Sequence, residues 1–110
     1  MIAGFHVKLE RDGEARILSC GGELDAASAP RLEEAFELAL EMRPSSMFVD
    51  GKDLTFVDSS GIWALVRIAR RCQEEGIALE VTVSDQVRET LSRAGIAERL
   101  LLGPPSVAPA

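Results

Sequence analysis

Leu54-Thr55-Phe56-Val57-Asp58-Ser59-Ser60-Gly61-Ile62 holds the sharpest change of character in this 110-residue chain. Leu54–Val57 is a β-prone apolar run. From Ile62 onward, Leu65, Val66, Ala69 and Cys72 fall within one apolar arc at about 100° per residue. The stretch therefore predicts a strand that feeds directly into an amphipathic helix, with Asp58-Ser59-Ser60-Gly61 at the junction. A serine in such a place is ordinarily a helix cap. Two serines and an aspartate together make the junction the place to look for chemistry.

Outward from this stretch the hydrophobic period changes several times. Phe5, Val7 and Leu9 alternate with His6, Lys8 and Glu10 as a half-buried strand, and Asp12-Gly13 makes a tight turn into a second strand over Ala15–Gly21. From Pro30 the period is helical: Leu32, Ala35, Phe36 and Ala39 share a face, with Arg31, Glu33, Glu34 and Glu37 opposite, Ser28 at the start and Pro44-Ser45 after the end. Met47-Phe48-Val49 reads as a central strand buried on both faces. Gly76 closes the helix that follows the junction. Ile77, Leu79, Val81 and Val83 then alternate with polar positions as another strand. Ser84-Asp85 starts a third helix carrying Val87, Leu91 and Ala94, which Gly95 stops. Leu100–Leu102 reads as a short strand or docked turn.

A hairpin followed by alternating helices and strands predicts an α/β fold: a mixed sheet of four to five strands with three or four helices packed on it, and right-handed crossovers making the later strands parallel. One domain over residues 1–103 and a disordered tail over 104–110 are expected. Loops leaving the carboxyl ends of parallel strands collect at one edge of such a sheet. Gly22-Glu23-Leu24-Asp25, the segment Asp50–Asp58 and Ser84-Asp85 are expected to form one rim, carrying Asp25, Asp50, Asp53, Asp58, Ser59 and Ser60.

Composition narrows what this rim does. The chain is 46% hydrophobic and 27% charged, with 18 Asp plus Glu against 12 Lys plus Arg and a net charge of −6. That balance repels phosphate backbones and argues against nucleic-acid binding; Arg67, Arg70 and Arg71 read as a solvated helix face. No window approaches the length of a membrane span, so no membrane insertion and a cytoplasmic location are expected. Cys20 and Cys72 read as buried small hydrophobes, with no metal-ligand spacing.

A serine nucleophile needs a positioned base, and the single histidine, His6, belongs to the exposed face of the first strand, while Lys52 is the one lysine near the junction. A receiver-like aspartate pocket needs a lysine after a later strand, and none follows Val83. Gly21-Gly22 forms no nucleotide-binding loop. Catalysis, metals and cofactors are therefore not expected.

Two motifs carry a family resemblance: Gly22-Glu23-Leu24-Asp25 before the first helix, and Asp53 through Ile62 before the second. From about Phe5 to Leu102 the chain resembles a STAS domain of the bacterial anti-sigma factor antagonist type. The resemblance implies a partner-switching protein. Its unphosphorylated form would bind an anti-sigma factor, a serine kinase of the histidine-kinase-like ATPase fold, and so release a sigma factor. Phosphorylation of the serine after the motif aspartate, here Ser59 with Ser60 in reserve, would switch it off, and a serine phosphatase would reverse the switch. The partner-binding set implied is Glu23, Asp25, Asp58, Ser59, Ser60, Gly61, Ile62 and Trp63. The alternative is an unphosphorylated docking subunit of a lipid-transport (ABC-type) or stress-signalling complex. Three residues keep two readings each: Ser59 as cap or phosphoacceptor, Asp25 as cap or contact, and Trp63 as partner anchor or core. Trp63 departs from the family, which commonly carries a small or aliphatic residue there.

Overall fold

The computed structural model describes residues 4–100, apart from the side chains of Glu98 and Arg99. The chain runs β1 (His6–Asp12), β2 (Ala15–Leu24), α1 (Ala29–Leu40), β3 (Ser46–Val57), α2 (Ser59–Glu75), β4 (Ala78–Val83) and α3 (Asp85–Arg93), then a 3-10 turn at Ala97–Leu100. The strands form one mixed α/β sheet in the order β1-β2-β3-β4, with β1–β2 antiparallel and both β2–β3 and β3–β4 parallel. The hairpin, the alternation of elements and the parallel crossovers agree with the sequence. Leu101, Leu102 and the expected tail over 104–110 lie outside the described residues.

Register explains the core. Leu9, Leu18, Val49 and Val81 stand side by side across the four strands, and Arg16, Met47 and Leu79 form the next row. This face joins Leu32, Phe36 and Ala39 of α1, Leu65, Ile68 and Cys72 of α2, and Val87 and Leu91 of α3 in one buried cluster. Each fully buried leucine contributes about 2 kcal/mol relative to exposure. The opposite face carries Glu10, Ile17, Phe48 and Glu80 in one row and Lys8, Ser19, Asp50 and Thr82 in another, none of them buried. β3 is thus buried on one face, not two, because strand residues alternate sides and only one side has helices. Ala94, expected on the inner face of α3, is its exposed C-cap.

The largest departure is in β3. The sequence reads Met47–Val49 and Leu54–Val57 as separate strand-like runs and assigns Asp50–Asp58 to the rim as the segment leaving the third strand, whereas one strand runs unbroken from Ser46 to Val57 and β2 continues to Leu24. β3 absorbs two extra residues, one between the pairs Ser19–Asp50 and Gly21–Asp53 and another between Gly22–Leu54 and Glu23–Phe56. Each irregularity shifts the alternation, so the buried positions become Gly51, Leu54 and Val57. Asp50 and Asp53 therefore lie back along the sheet, away from the rim. Asp50 pairs with Lys52 at 2.9 Å, and Asp53 is exposed opposite Gly21.

Candidate functional site

The parallel ends of β2 and β3 set Leu24 beside Val57, so the turns after them are neighbours by construction. The Asp58 N–H donates to the Leu24 carbonyl at 3.2 Å. Gly61 then lies against the same residue: a Cβ there would stand 2.5 Å from the Leu24 carbonyl oxygen and 2.7 Å from Val57 Cγ2. Only glycine lets α2 start so close to β2. Gly61, Ile62 and Glu23, grouped by sequence as partner contacts, divide accordingly: Gly61 is buried, Ile62 partly buried against the core and Glu23 exposed.

Asp58 caps α2, its carboxylate accepting the Gly61 N–H at 3.1 Å. Ser59 is the first residue of the helix; it is exposed, and its hydroxyl bonds to none of the described residues. The cap reading therefore belongs to Asp58 and not to Ser59. Ser60 is half-buried in a shallow groove of about 310 Å³ between the first turns of α1 and α2, which Ala29, Pro30, Trp63 and Arg67 also line. Trp63 is 50% exposed and lines that groove, not the core.

Asp25 is a structural carboxylate. Its Oδ1 accepts the N–H groups of Ala27 at 3.0 Å and Ser28 at 3.1 Å, organising the turn that precedes α1. Ser28, buried beneath it, accepts the Asp25 N–H at 2.9 Å, and its hydroxyl proton lies between the Glu23 carbonyl (2.7 Å) and Asp25 Oδ1 (3.0 Å). The Ser28 N–H, then the Ser28 hydroxyl, hold the Asp25 carboxyl below its ordinary value. This network escapes a sequence reading that takes Ser28 only as the start of the helix. Its signal is the Asp-x-x-Ser spacing, which suits an aspartate turn closed by a hydroxyl.

The remaining rim residues brace the site. Gln86, in the first turn of α3, donates its side-chain amide to the Thr55 carbonyl. Arg67 grips Glu33 of α1 through Nε at 2.6 Å and Nη2 at 3.2 Å, and Arg71 reaches Glu37 at 3.0 Å. Two of the three basic residues of α2 thus join the helices together. His6 is exposed on β1. Burial pushes the Cys20 thiol up to about 12 and that of Cys72 up to about 11, so both stay protonated at neutral pH. Among the described residues no three His, Cys, Asp or Glu side chains are placed to share a metal ion, and no helix is long and apolar enough to cross a membrane.

The STAS domain family model matches residues 6–108. A crystal structure of an anti-sigma factor antagonist from Mycobacterium paratuberculosis superposes with a TM-score of 0.82 at 21% identity, over 93% of this chain and 87% of that one. The anti-sigma factor antagonist SpoIIAA in its unphosphorylated form gives 0.72 at 18% identity, over 90% and 89% of the two chains. The Bacillus cell fate determinant SpoIIAA in the phosphorylated form gives 0.68 at 18% identity, over 90% and 92%. No curated protein matches the chain significantly. Identities this low speak to the fold, which is the one the two motifs imply.

Proposed function

The chain belongs to the STAS domain family, and from that premise we propose that it is an anti-sigma factor antagonist switched by phosphorylation of Ser59. In its unphosphorylated form it binds an anti-sigma factor that is also a serine kinase of the histidine-kinase-like ATPase fold, and so frees a sigma factor in the cytoplasm. A serine phosphatase restores it. The protein is the substrate of these reactions and not their catalyst.

The observation that carries this reading is the contrast within one helical turn: Asp58 is committed to the cap, while the Ser59 hydroxyl beside it is exposed and bonds to none of the described residues. A kinase can reach that hydroxyl without disturbing the fold. A phosphate there sits at the N-terminus of a 17-residue helix, where the macrodipole favours negative charge. SpoIIAA is known with and without phosphate, and the similarity of both forms to this chain supports a fold that can carry the group.

Switching follows from charge. Phosphoserine adds nearly two negative charges at neutral pH, next to Asp58 and on the same rim as Asp25 and Glu23. A partner that packs against this rim must then desolvate those charges and meet their field. A penalty of about 3 kcal/mol lowers affinity roughly a hundredfold, enough to move the anti-sigma factor to its other ligand. Half-exposed Trp63 supplies the apolar part of the binding face, with Ser60 and the partly buried Ile62 beside it and buried Gly61 holding the turn against β2.

The test is phosphorylation by the anti-sigma kinase with ATP, read by intact mass. One phosphate is expected on the wild type and none on Ser59→Ala. A phosphate retained by Ser59→Ala, or absent from both, contradicts the assignment.

A further inference from the structure

β1 is one edge of the sheet, and the rim lies at the ends of β2, β3 and β4; Gly4 and Phe5, just before β1, border the Glu23–Asp25 turn, while the middle of the edge at Leu9 lies farther along the sheet. We propose that the β1 edge is a homodimer interface, in which two copies pair their β1 strands antiparallel about a two-fold axis at Leu9 and join their sheets into one of eight strands.

Backbone direction permits this register. Asp12 and Ala15 pair across a two-residue turn, and such a pair exchanges hydrogen bonds directly. The alternation of the ladder then turns the backbone groups of Asp12, Glu10, Lys8 and His6 toward β2, and those of Arg11, Leu9 and Val7 away from it. The Phe5 carbonyl, next in the outward series, accepts the Arg31 guanidinium at 3.0 Å, as that alternation requires. Leu9 at the centre of the outward set makes Leu9 meet Leu9 and Val7 meet Arg11 as hydrogen-bonded pairs. β1 has seven residues, no proline and no register shift against β2.

Charge specifies the same register. Edge strands usually carry charges that repel another strand. Here the order His6-Val7-Lys8-Leu9-Glu10-Arg11-Asp12 is self-complementary about Leu9. On the open face of the sheet, Lys8, which pairs with Glu10 of its own strand at 3.4 Å, also falls opposite Glu10 of the second copy, a pair that occurs twice. Opposite charges directly across an antiparallel pair stabilise it, and like charges destabilise it.

The helix above the edge supplies an independent observation. Leu38 and Met42 are 52% and 51% exposed, two of the four large hydrophobics left half-exposed among the described residues. At about 100° per residue Leu38 shares a flank of α1 with Arg31, whose guanidinium lies over the Phe5 ring, and Met42 follows in the turn just past the helix end. Glu33 and Glu37, which pair with α2, occupy the other flank. Leu38 therefore overlooks the β1 edge, where α1 of a second copy would cover it. The two-fold axis sends the two rims to opposite ends of the joined sheet, so one dimer can hold two partners at once.

Sedimentation of the whole chain tests this, with β1 charges exchanged at exposed positions. The wild type is expected to dimerise with a Kd tighter than about 10⁻⁴ M. Lys8→Glu and Glu10→Lys, each placing like charges opposite one another twice, should each weaken dimerisation by at least about tenfold. The double variant Lys8→Glu/Glu10→Lys restores complementarity and should recover to within about threefold. Leu38→Asp, which leaves β1 intact, should also weaken it by about tenfold. Melting of dilute samples verifies that each variant folds. A monomeric wild type, single variants that dimerise equally well, or a double variant that fails to recover overturns the proposal. Ser59→Asp should dimerise like the wild type, so failure here and failure of the phosphorylation switch are separately visible.

Discussion

Two turns in this protein begin alike and end differently. After β2 the chain places Asp25 and, three residues on, Ser28 ahead of α1; after β3 it places Asp58 and then Ser59 at the start of α2. In both, the aspartate accepts backbone N–H groups and organises the helix start. The serines diverge: Ser28 is buried and bonded on both its donor and acceptor sides, whereas Ser59 is exposed and its hydroxyl bonds to none of the described residues. The same pair of residue types thus yields a structural hydroxyl in one turn and an available one in the other. Position relative to the helix decides it. Ser28 tucks under the turn against the Glu23 carbonyl, while Asp58 already fills the capping role and leaves Ser59 outside it.

Substitutions that break the comparison should rank accordingly. Gly61→Ala should cost most, about 3 kcal/mol, because its Cβ collides with the Leu24 carbonyl that joins the two turns. Alanine's helix propensity, worth about 1 kcal/mol, is outweighed. A urea midpoint equal to the wild type's would contradict the close approach. Ser28→Ala should cost about 2 kcal/mol by the same measurement, since it strips partners from the Asp25 N–H and the Glu23 carbonyl. Asp58→Ala loses a cap and should cost about 1 kcal/mol. Ser59→Ala should fall within about 0.5 kcal/mol of the wild type, as an exposed, unbonded side chain does; a loss as large as that of Ser28→Ala would erase the contrast.

The subtlest difference is in acid. Because hydrogen bonds from Ser28 lower the Asp25 pKa in the folded state, the unfolded chain binds the proton first as pH falls. The stabilisation is complete above the ordinary carboxylate value and is lost as pH drops through the lower folded value. Asp25→Asn keeps an oxygen to accept the N–H groups but cannot titrate. Its stability should decline less steeply than the wild type's in that acid window, and parallel acid limbs would show that the network carries no linkage.

Most of the fold was legible because its elements obey single periods. The alternation in β1 and β4, the apolar arcs of α1 and α2, and glycine at the end of α2 each point to one structure. The reading failed where two periods met. In β3 the extra residues turn a two-residue alternation into buried positions three apart, so Gly51-Lys52-Asp53 looks like a turn while Gly51 pairs with Val83 and Asp53 with Gly21 inside the strand. Phe56, read as part of an apolar approach, is half-exposed for the same reason. The site was legible as a motif but not as a division of labour. Spacing brought Asp25 and Asp58 to one rim, yet nothing in it distinguished capping carboxylates from contacts. Trp63 needed the groove beside Ser60, formed with residues of α1 some thirty positions earlier, to show that it faces outward.

The central claim is that the exposed Ser59 hydroxyl, rather than any capping residue, governs partner binding. The most direct measurement is calorimetric titration of the anti-sigma factor with unmodified and Ser59-phosphorylated protein. The account predicts roughly a hundredfold weaker binding of the phosphorylated form, with unfolding midpoints unchanged. Equal affinity of the two forms would contradict it.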